Sequence, residues 1–238
     1  MLLLWIPALR SQQPDRDTLV RLTENIAEAF QADPHLIHGI RYYDLYPAAP
    51  GHPFFEPDEY RFGRVIINDR EYKGLKLKYD ICNQRLLLHY FLSNGGSAEI
   101  ILIRDPIREF ELDNKIFRPY TLPRKGVQFC QEIGAGSIKC LYFWHKELVP
   151  LNNSLESYNQ YTSQEKNSWL LLDSVLIPFK GKRSFIRCFP ASQHPVVKKY
   201  IRENHILIRH VSDAAMHHLI GLFEAPVTGT ASGKEDHP

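Results

Sequence analysis

The stretch that decides the fold is Leu75-Lys76-Leu77-Lys78-Tyr79-Asp80-Ile81, in which apolar and charged side chains alternate. Successive side chains of a β-strand point to opposite faces of the sheet. The four apolar residues therefore share one face, and the three charged residues share the other. This alternation predicts a half-buried strand of an antiparallel sheet.

Similar segments lie on both sides of this strand, and turn sequences separate them. The clearest turns are Asn68-Asp69, Asn94-Gly95-Gly96 and Asp113-Asn114. Turns that recur every 8–12 residues or so are typical of antiparallel sheets. We predict consecutive antiparallel hairpins over residues 62–120 and further strands over residues 127–189, the last of them at Arg183–Phe189.

The period of the apolar residues changes from two to three and four after Pro195. This spacing predicts helices at 195–203 and 213–223, and a similar pattern predicts one at 17–30. The predicted fold class is mainly β (α+β), an antiparallel meander sheet or sheets with short helices at the N-terminus and the C-terminus. The predicted units are an N-terminal helix with a β-meander (14–120), hairpins followed by helices (121–225) and a disordered tail (226–238).

The charge balance limits the classes of partner that we expect for this protein. The 238 residues carry 29 Lys or Arg and 27 Asp or Glu, a net charge of +2. A protein that binds nucleic acid usually has a much stronger basic excess. We expect no nucleic-acid partner, and we find no segment long and apolar enough to predict a transmembrane helix.

The first nine residues, MLLLWIPAL, form a short apolar run. Its length fits the apolar region of a secretory signal peptide. No basic residue follows Met1 before the run, which a start codon placed too far downstream would explain. We interpret residues 1–13 as the remnant of a signal peptide and expect a periplasmic or secreted protein; a buried N-terminal strand or apolar arm is the alternative.

Four cysteines are present, and two of them flank a turn. Cys130 and Cys140 lie on either side of Gly134-Ala135-Gly136-Ser137. A hairpin loop with an odd number of residues would place the two cysteines opposite each other, close to the distance that a disulfide spans. A loop of even length would put them out of register. A Cys130–Cys140 disulfide is thus one prediction of the sequence, and buried free thiols are the alternative.

The sequence contains no catalytic motif. Neither a glycine-rich phosphate loop nor a Gly-x-Ser-x-Gly elbow is present, and the eleven histidines lack a clear metal-binding spacing. We expect no metal ion and no cofactor. Glu109 and Glu111 share a face of one predicted strand, and with His52 they form the alternative hypothesis, a hydrolase with a site built from loops.

Aromatic residues crowd around a proline-rich loop at 46–53. Phe54, Phe55, Tyr60 and Phe62 are close in sequence and would line a ligand groove if the loop left them open. Packing into the core beneath the loop is the favoured interpretation.

Three segments carry a resemblance. Gly51-His52-Pro53-Phe54-Phe55, Gly63-Arg64-Val65 and the strand ending in Tyr79-Asp80-Ile81 resemble an uncharacterised family of exported β-rich proteins of Gram-negative bacteria. That family has a GHPYF-like loop and a YDI strand. The later segment 200–204 resembles its C-terminal helix. The resemblance implies an exported β-rich protein and brings no known activity, cofactor or catalytic residue.

These observations favour an exported protein that acts by binding or scaffolding in the cell envelope. Its expected partner is another protein or a component of the envelope. A polar cleft that joins His52 to the carboxylates would favour the hydrolase, whereas an exposed groove or an open strand edge would favour binding.

Overall fold

The computed structural model describes Leu36 and residues 39–92, 95–153 and 156–223. The predicted signal-peptide remnant, the helix at 17–30 and the tail at 226–238 lie outside these residues. Within them the chain is mainly β, with an antiparallel sheet and short helices towards its C-terminal end. This confirms the predicted fold class.

The described residues form thirteen strands. They are β1 (Gly39–Arg41), β2 (Arg61–Ile67), β3 (Arg70–Asp80), β4 (Arg85–Phe91), β5 (Ser97–Leu102), β6 (Ile107–Leu112), β7 (Lys115–Leu122), β8 (Gly126–Ile133), β9 (Ile138–His145), β10 (Leu148–Asn153), β11 (Glu156–Tyr161), β12 (Glu165–Leu172) and β13 (Val175–Phe179). Eleven of them form one sheet in the order β1-β5-β4-β3-β2-β6-β7-β8-β9-β12-β13, and β10 pairs with β11 separately.

The alternation in β3 gives the predicted faces. Leu77 and Tyr79 are fully buried, as expected. The charged face is more enclosed than the pattern indicates, because Asp80 is only 1% exposed. Its carboxylate accepts the backbone N–H groups of Cys82 and Asn83, both at 2.9 Å, and so holds the turn into β4.

The sheet is strongly coiled. Strands β5 and β6 run in the same direction, four positions apart, and only residues 103–106 connect them. In a flat sheet a connection between strands of the same direction needs about a dozen residues or more. The sheet therefore wraps around its own apolar face, which brings the end of β5 to the start of β6.

An aromatic cluster fills this coiled part of the sheet. The rings of Phe110 and Phe117 stack with their centroids 4.7 Å apart, and Tyr79 and Phe129 meet Phe110 edge-on at 5.0 and 5.1 Å. Such offset and edge-on contacts are the favoured geometries for aromatic pairs.

The predicted boundary between residues 120 and 121 is not a break in the sheet. Strands β7 and β8 pair continuously from Ile116 to Leu122. The apolar core does divide near this point: one cluster contains buried residues up to Phe129, and a second begins at Ile133 and includes the helices.

The predicted Cys130–Cys140 disulfide is wrong. All four cysteines are free thiols. Ile133 lies opposite Cys140 in the hairpin of β8 and β9, so the loop at 134–137 has an even number of residues. Cys130 packs with Leu141 and Phe143, whereas Cys140 packs in the cluster beneath the helices, so the two thiols lie on opposite faces of the sheet.

Three α-helices follow the strands: α1 (Lys182–Ile186), α2 (His194–Glu203) and α3 (Asp213–Gly221). The last two confirm the predictions from periodicity. In α3 the Ser212 hydroxyl accepts the N–H of Ala215 at 3.2 Å and caps the helix. None of the helices within the described ranges is long and apolar enough to cross a membrane.

The strand predicted at Arg183–Phe189 is wrong, because this segment starts with α1. The Ser184 hydroxyl accepts the backbone N–H groups of Lys180 and Gly181 at 2.9 and 3.1 Å, which closes a helical turn. Phe185 is fully buried and meets Phe179 of β13 edge-on at 5.0 Å. A local side-chain cap and one buried aromatic residue therefore override the strand pattern.

Candidate binding site

Two residues of the predicted aromatic groove belong to the core. Phe54 is 5% exposed and Phe55 is completely buried. The ring of Phe55 lies 5.4 Å from the rings of both Phe117 and Trp144. The groove prediction is wrong for this pair, and core packing under the loop is what the structure has.

The other two residues of that prediction lie around lysines of β3. The Lys78 ammonium sits 4.3 Å from the ring centroid of Phe54 and 4.4 Å from that of Tyr60, and it pairs with Asp58 at 2.5 Å. Phe62 is 56% exposed. Since Lys78 fills the space between the rings and has its own carboxylate, the four aromatic residues do not form an open groove.

His52 is held as a neutral imidazole. Its Nδ1 accepts the backbone N–H of Phe54 at 3.2 Å and lies 3.3 Å from the Lys146 ammonium, which also donates to the His52 carbonyl at 3.0 Å. Two donors at Nδ1 assign the ring proton to Nε2. Burial, followed by the charge of Lys146, lowers the pKa of His52.

The two carboxylates of the hydrolase hypothesis are neutralised by arginines. Glu109 pairs with Arg64 and with Arg118, and Glu111 accepts a bond from Arg64 Nε at 2.7 Å. Neither carboxylate is among the partners of His52, which are Lys146 and Phe54. The structure therefore does not bring the three residues together into a site.

A different part of the chain concentrates charge. Residues 180–210 contain eight Lys or Arg and a single acidic residue, Glu203, which gives a net charge of +7. The whole chain carries only +2, so the remaining residues are net acidic. An asymmetry of this kind indicates an anionic partner more directly than the overall charge does.

The fold turns this segment into a concave surface, which we call the basic groove. It has a volume of about 480 Å³ and lies between the start of α1 and the turn at 206–210. Its walls carry five Lys or Arg side chains and one histidine: Lys180, Lys182, Arg183, Arg187, Arg209 and His210.

These cations have no paired acid within the part of the chain that the structure describes. Among the described residues, none of the five Lys and Arg side chains of the basic groove forms a salt bridge or a hydrogen bond. Three cations of the sheet, Arg64, Lys78 and Arg118, each have at least one carboxylate partner. Exposed cations such as Arg85 and Arg108 resemble those of the basic groove, since neither forms a salt bridge with another described residue. Several exposed cations thus surround the basic groove, although the surface of the concavity itself is mostly apolar.

The backbone beneath the basic groove is anchored in the apolar core. Phe185 and Ile186 anchor α1 in the core, and Ser184 fixes the preceding turn. On the other wall, Ile208 is 4% exposed and packs in the same apolar cluster. The backbone that carries the cations is therefore anchored in the core, while the Lys and Arg side chains themselves are exposed.

A second cavity of about 670 Å³ adjoins the basic groove and shares Lys180, Arg209 and His210 with it. It contains Lys166 of β12, whose ammonium lies 3.8 Å from the ring centroid of Tyr142. Burial lowers the pKa of Lys166. The contact of the Lys166 ammonium with the Tyr142 ring is a cation–π interaction. Lys166 is the sixth Lys or Arg residue that lines the two adjoining cavities.

The net charge of the whole chain gives no indication of the basic groove. Its two walls, at 180–187 and 206–210, are separated by about twenty residues, and Lys180-Gly181-Lys182 alone predicts only a turn. A count of charge in a sliding window over the sequence would have found the segment, but its concave shape depends on how α1 and the turn pack.

The comparisons with known proteins add no relative. No protein-family model, no curated protein and no solved structure matches this chain.

Proposed function

We propose that this is an exported binding protein that holds an anionic ligand in the basic groove. The observation that carries the proposal is the set of five exposed Lys and Arg residues around one concavity, none of which is paired with an acid among the described residues. The ligand class is one with phosphate, sulfate or carboxylate groups, since these are the groups that Lys and Arg recognise.

The physical reason is the repulsion among these cations. Like charges placed close together destabilise a folded protein, and a bound anion relieves that repulsion. Arg183, Arg187 and Arg209 each present a planar fork that suits two oxygens of one anion, whereas Lys180 and Lys182 act as point charges.

Two features of the sequence support export. The apolar run Met1–Leu9 has the length of a signal-peptide core, and the loop at 51–55 with the strand at 75–81 resembles exported proteins. Both supports are independent of the basic groove, so binding and export are tested separately. Sequencing the N-terminus of the protein recovered from the periplasm and from the cytoplasm tests export.

Binding is tested by calorimetric titration with pyrophosphate at low ionic strength. Arg183→Glu removes a cation from the groove and adds an acid, and we expect it to weaken binding by about tenfold or more. Lys73→Glu makes the same change of net charge at a distant side chain that is 70% exposed, and we expect less than about a twofold effect. Equal losses in the two variants would contradict a site in the basic groove.

A further inference from the structure

An exposed leucine lies in the basic groove. Leu207 is 70% exposed, although its neighbour Ile208 is buried. It lines the groove together with Arg183 and Arg209. An apolar side chain held out in water between cations has no partner within the described part of the molecule that would explain its position.

We infer that the basic groove and Leu207 form a docking surface for the anionic headgroups of a lipid bilayer. This inference rests on the proposed function, and it names the surface that presents the anion. The cations bind lipid phosphates while Leu207 enters the boundary between the headgroups and the acyl chains. Proteins that bind a membrane surface combine these two contributions, basic residues and inserted apolar side chains.

The extent of the charge favours a surface over a small anion. Helix α2 packs beside α1 and adds Lys198, Lys199 and Arg202, all exposed. One phosphate cannot contact eight cations, but a bilayer with anionic headgroups attracts all of those that face it. Each Lys or Arg near such a surface strengthens binding about fivefold.

The chemistry of the groove favours lipid over nucleic acid. Proteins that bind single strands stack the bases on aromatic side chains. The described residues that line the basic groove include no Phe, Tyr or Trp, and its apolar members are aliphatic: Ile206, Leu207 and Ile208. The aromatic residues Trp169 and Phe179 line only the adjoining cavity. Aliphatic side chains suit acyl chains, since neither has a π-face or a hydrogen-bonding group.

Co-sedimentation with vesicles tests the inference in the full chain. We expect binding to vesicles of phosphatidylcholine mixed equally with phosphatidylglycerol, and none to phosphatidylcholine alone. Leu207→Ser should weaken vesicle binding about fivefold, because a partly inserted leucine is lost. Leu45→Ser is the matched control, since Leu45 is 76% exposed and lies far along the chain from the basic segment.

Pyrophosphate binding separates the two proposals. Pyrophosphate has no acyl chain, so its binding to the unchanged protein reports on anion binding alone. If pyrophosphate binds but the mixed vesicles do not, or if Leu207→Ser sediments like Leu45→Ser, the lipid inference fails and the proposed function stands. If neither probe binds, the proposed function and the lipid inference both fail.

Tighter binding to single-stranded DNA than to mixed vesicles, with no effect of Leu207→Ser, would overturn the lipid inference in favour of nucleic acid. Melting curves check that each variant is folded.

Discussion

The Lys146 ammonium lies 3.3 Å from Nδ1 of His52 and joins the loop at 51–55 to the end of β9. Lys146 is only 8% exposed, so it is a buried cation whose partners are a neutral ring nitrogen and a backbone carbonyl. This arrangement holds only while His52 stays neutral, because a protonated ring would place two positive charges side by side.

Acidification should therefore destabilise the protein. The pKa of His52 is lowered by burial, and those of His89 and His145 are lowered for the same first reason. Below the ordinary histidine pKa of about 6.5, the unfolded chain binds protons that the native state does not. We expect the free energy of unfolding, measured with urea, to fall between pH 7 and pH 5.

Substitution of His52 isolates its share of this effect. His52→Gln should have a shallower loss of stability over that pH range than the unchanged protein. His218→Gln, on the exposed face of α3, is the control. Parallel pH profiles for His52→Gln and the unchanged protein would show that His52 is not held neutral by the fold.

The two faces of β3 should respond differently to charge. Leu77→Asp puts an unpaired carboxylate into the coiled core, where Leu77 is fully buried, and should cost several kcal/mol. Lys73 lies on the opposite face from Leu77, because the pairing of β3 with β2 skips Gly74 and so reverses the alternation there. Lys73→Asp, on a side chain that is 70% exposed, should cost less than about 1 kcal/mol. Urea denaturation gives both values, and similar losses would mean that Leu77 does not face the core.

We expect only the buried face of helix α3 to contribute to the stability of the protein. Leu219 is fully buried where α3 packs on β8 and β9, whereas His218 is exposed. Leu219→Ala should lower the free energy of unfolding by about 2–5 kcal/mol, because it leaves a cavity. His218→Ala should change it by less than about 0.5 kcal/mol. A small effect at Leu219 would make α3 an appendage that the sheet does not need.

The hairpin loop beneath α3 should tolerate no side chain at its first residue. Gly134 has φ +99°, and an added Cβ would lie 2.6 Å from Ile220 Cδ1 and 2.9 Å from the Ile138 carbonyl oxygen. Gly95 also has a positive φ, +81°, but nothing within 4 Å of such a Cβ. Both Gly→Ala variants place an alanine at a positive φ and so carry backbone strain. We therefore attribute the larger fall in the free energy of unfolding expected for Gly134→Ala, about 1–3 kcal/mol more, to crowding of the added methyl group. Equal melting temperatures would contradict the contact between the loop and α3.

Local sequence predicted the elements whose pattern is long and regular. The alternation from Leu75 to Ile81 specified β3, and the three-and-four spacing after Pro195 specified α2 and α3. The sequence does not predict helix α1, because five residues hold too little periodicity. Its causes are the Ser184 hydroxyl, which closes the turn, and the burial of Phe185. The pairing of β2 with β6 was also beyond prediction, since it depends on how far the sheet coils.

The candidate site was predicted less well than the fold. His52, Glu109 and Glu111 were selected by residue type, but their partners are fixed by tertiary contacts with Lys146, Arg64 and Arg118. The basic groove differs from these three residues. Its charges are visible in the sequence, but only the packing of α1 against the turn at 206–210 places the residues that carry them around one concavity.

The most direct test of the basic groove is an NMR titration of the uniformly ¹⁵N-labelled protein with pyrophosphate. We expect the largest saturable changes in amide chemical shift at residues 180–187 and 206–210, and their loss in Arg183→Glu. Saturable changes that cluster elsewhere, or an absence of saturable change, would contradict the claim that this groove binds anions.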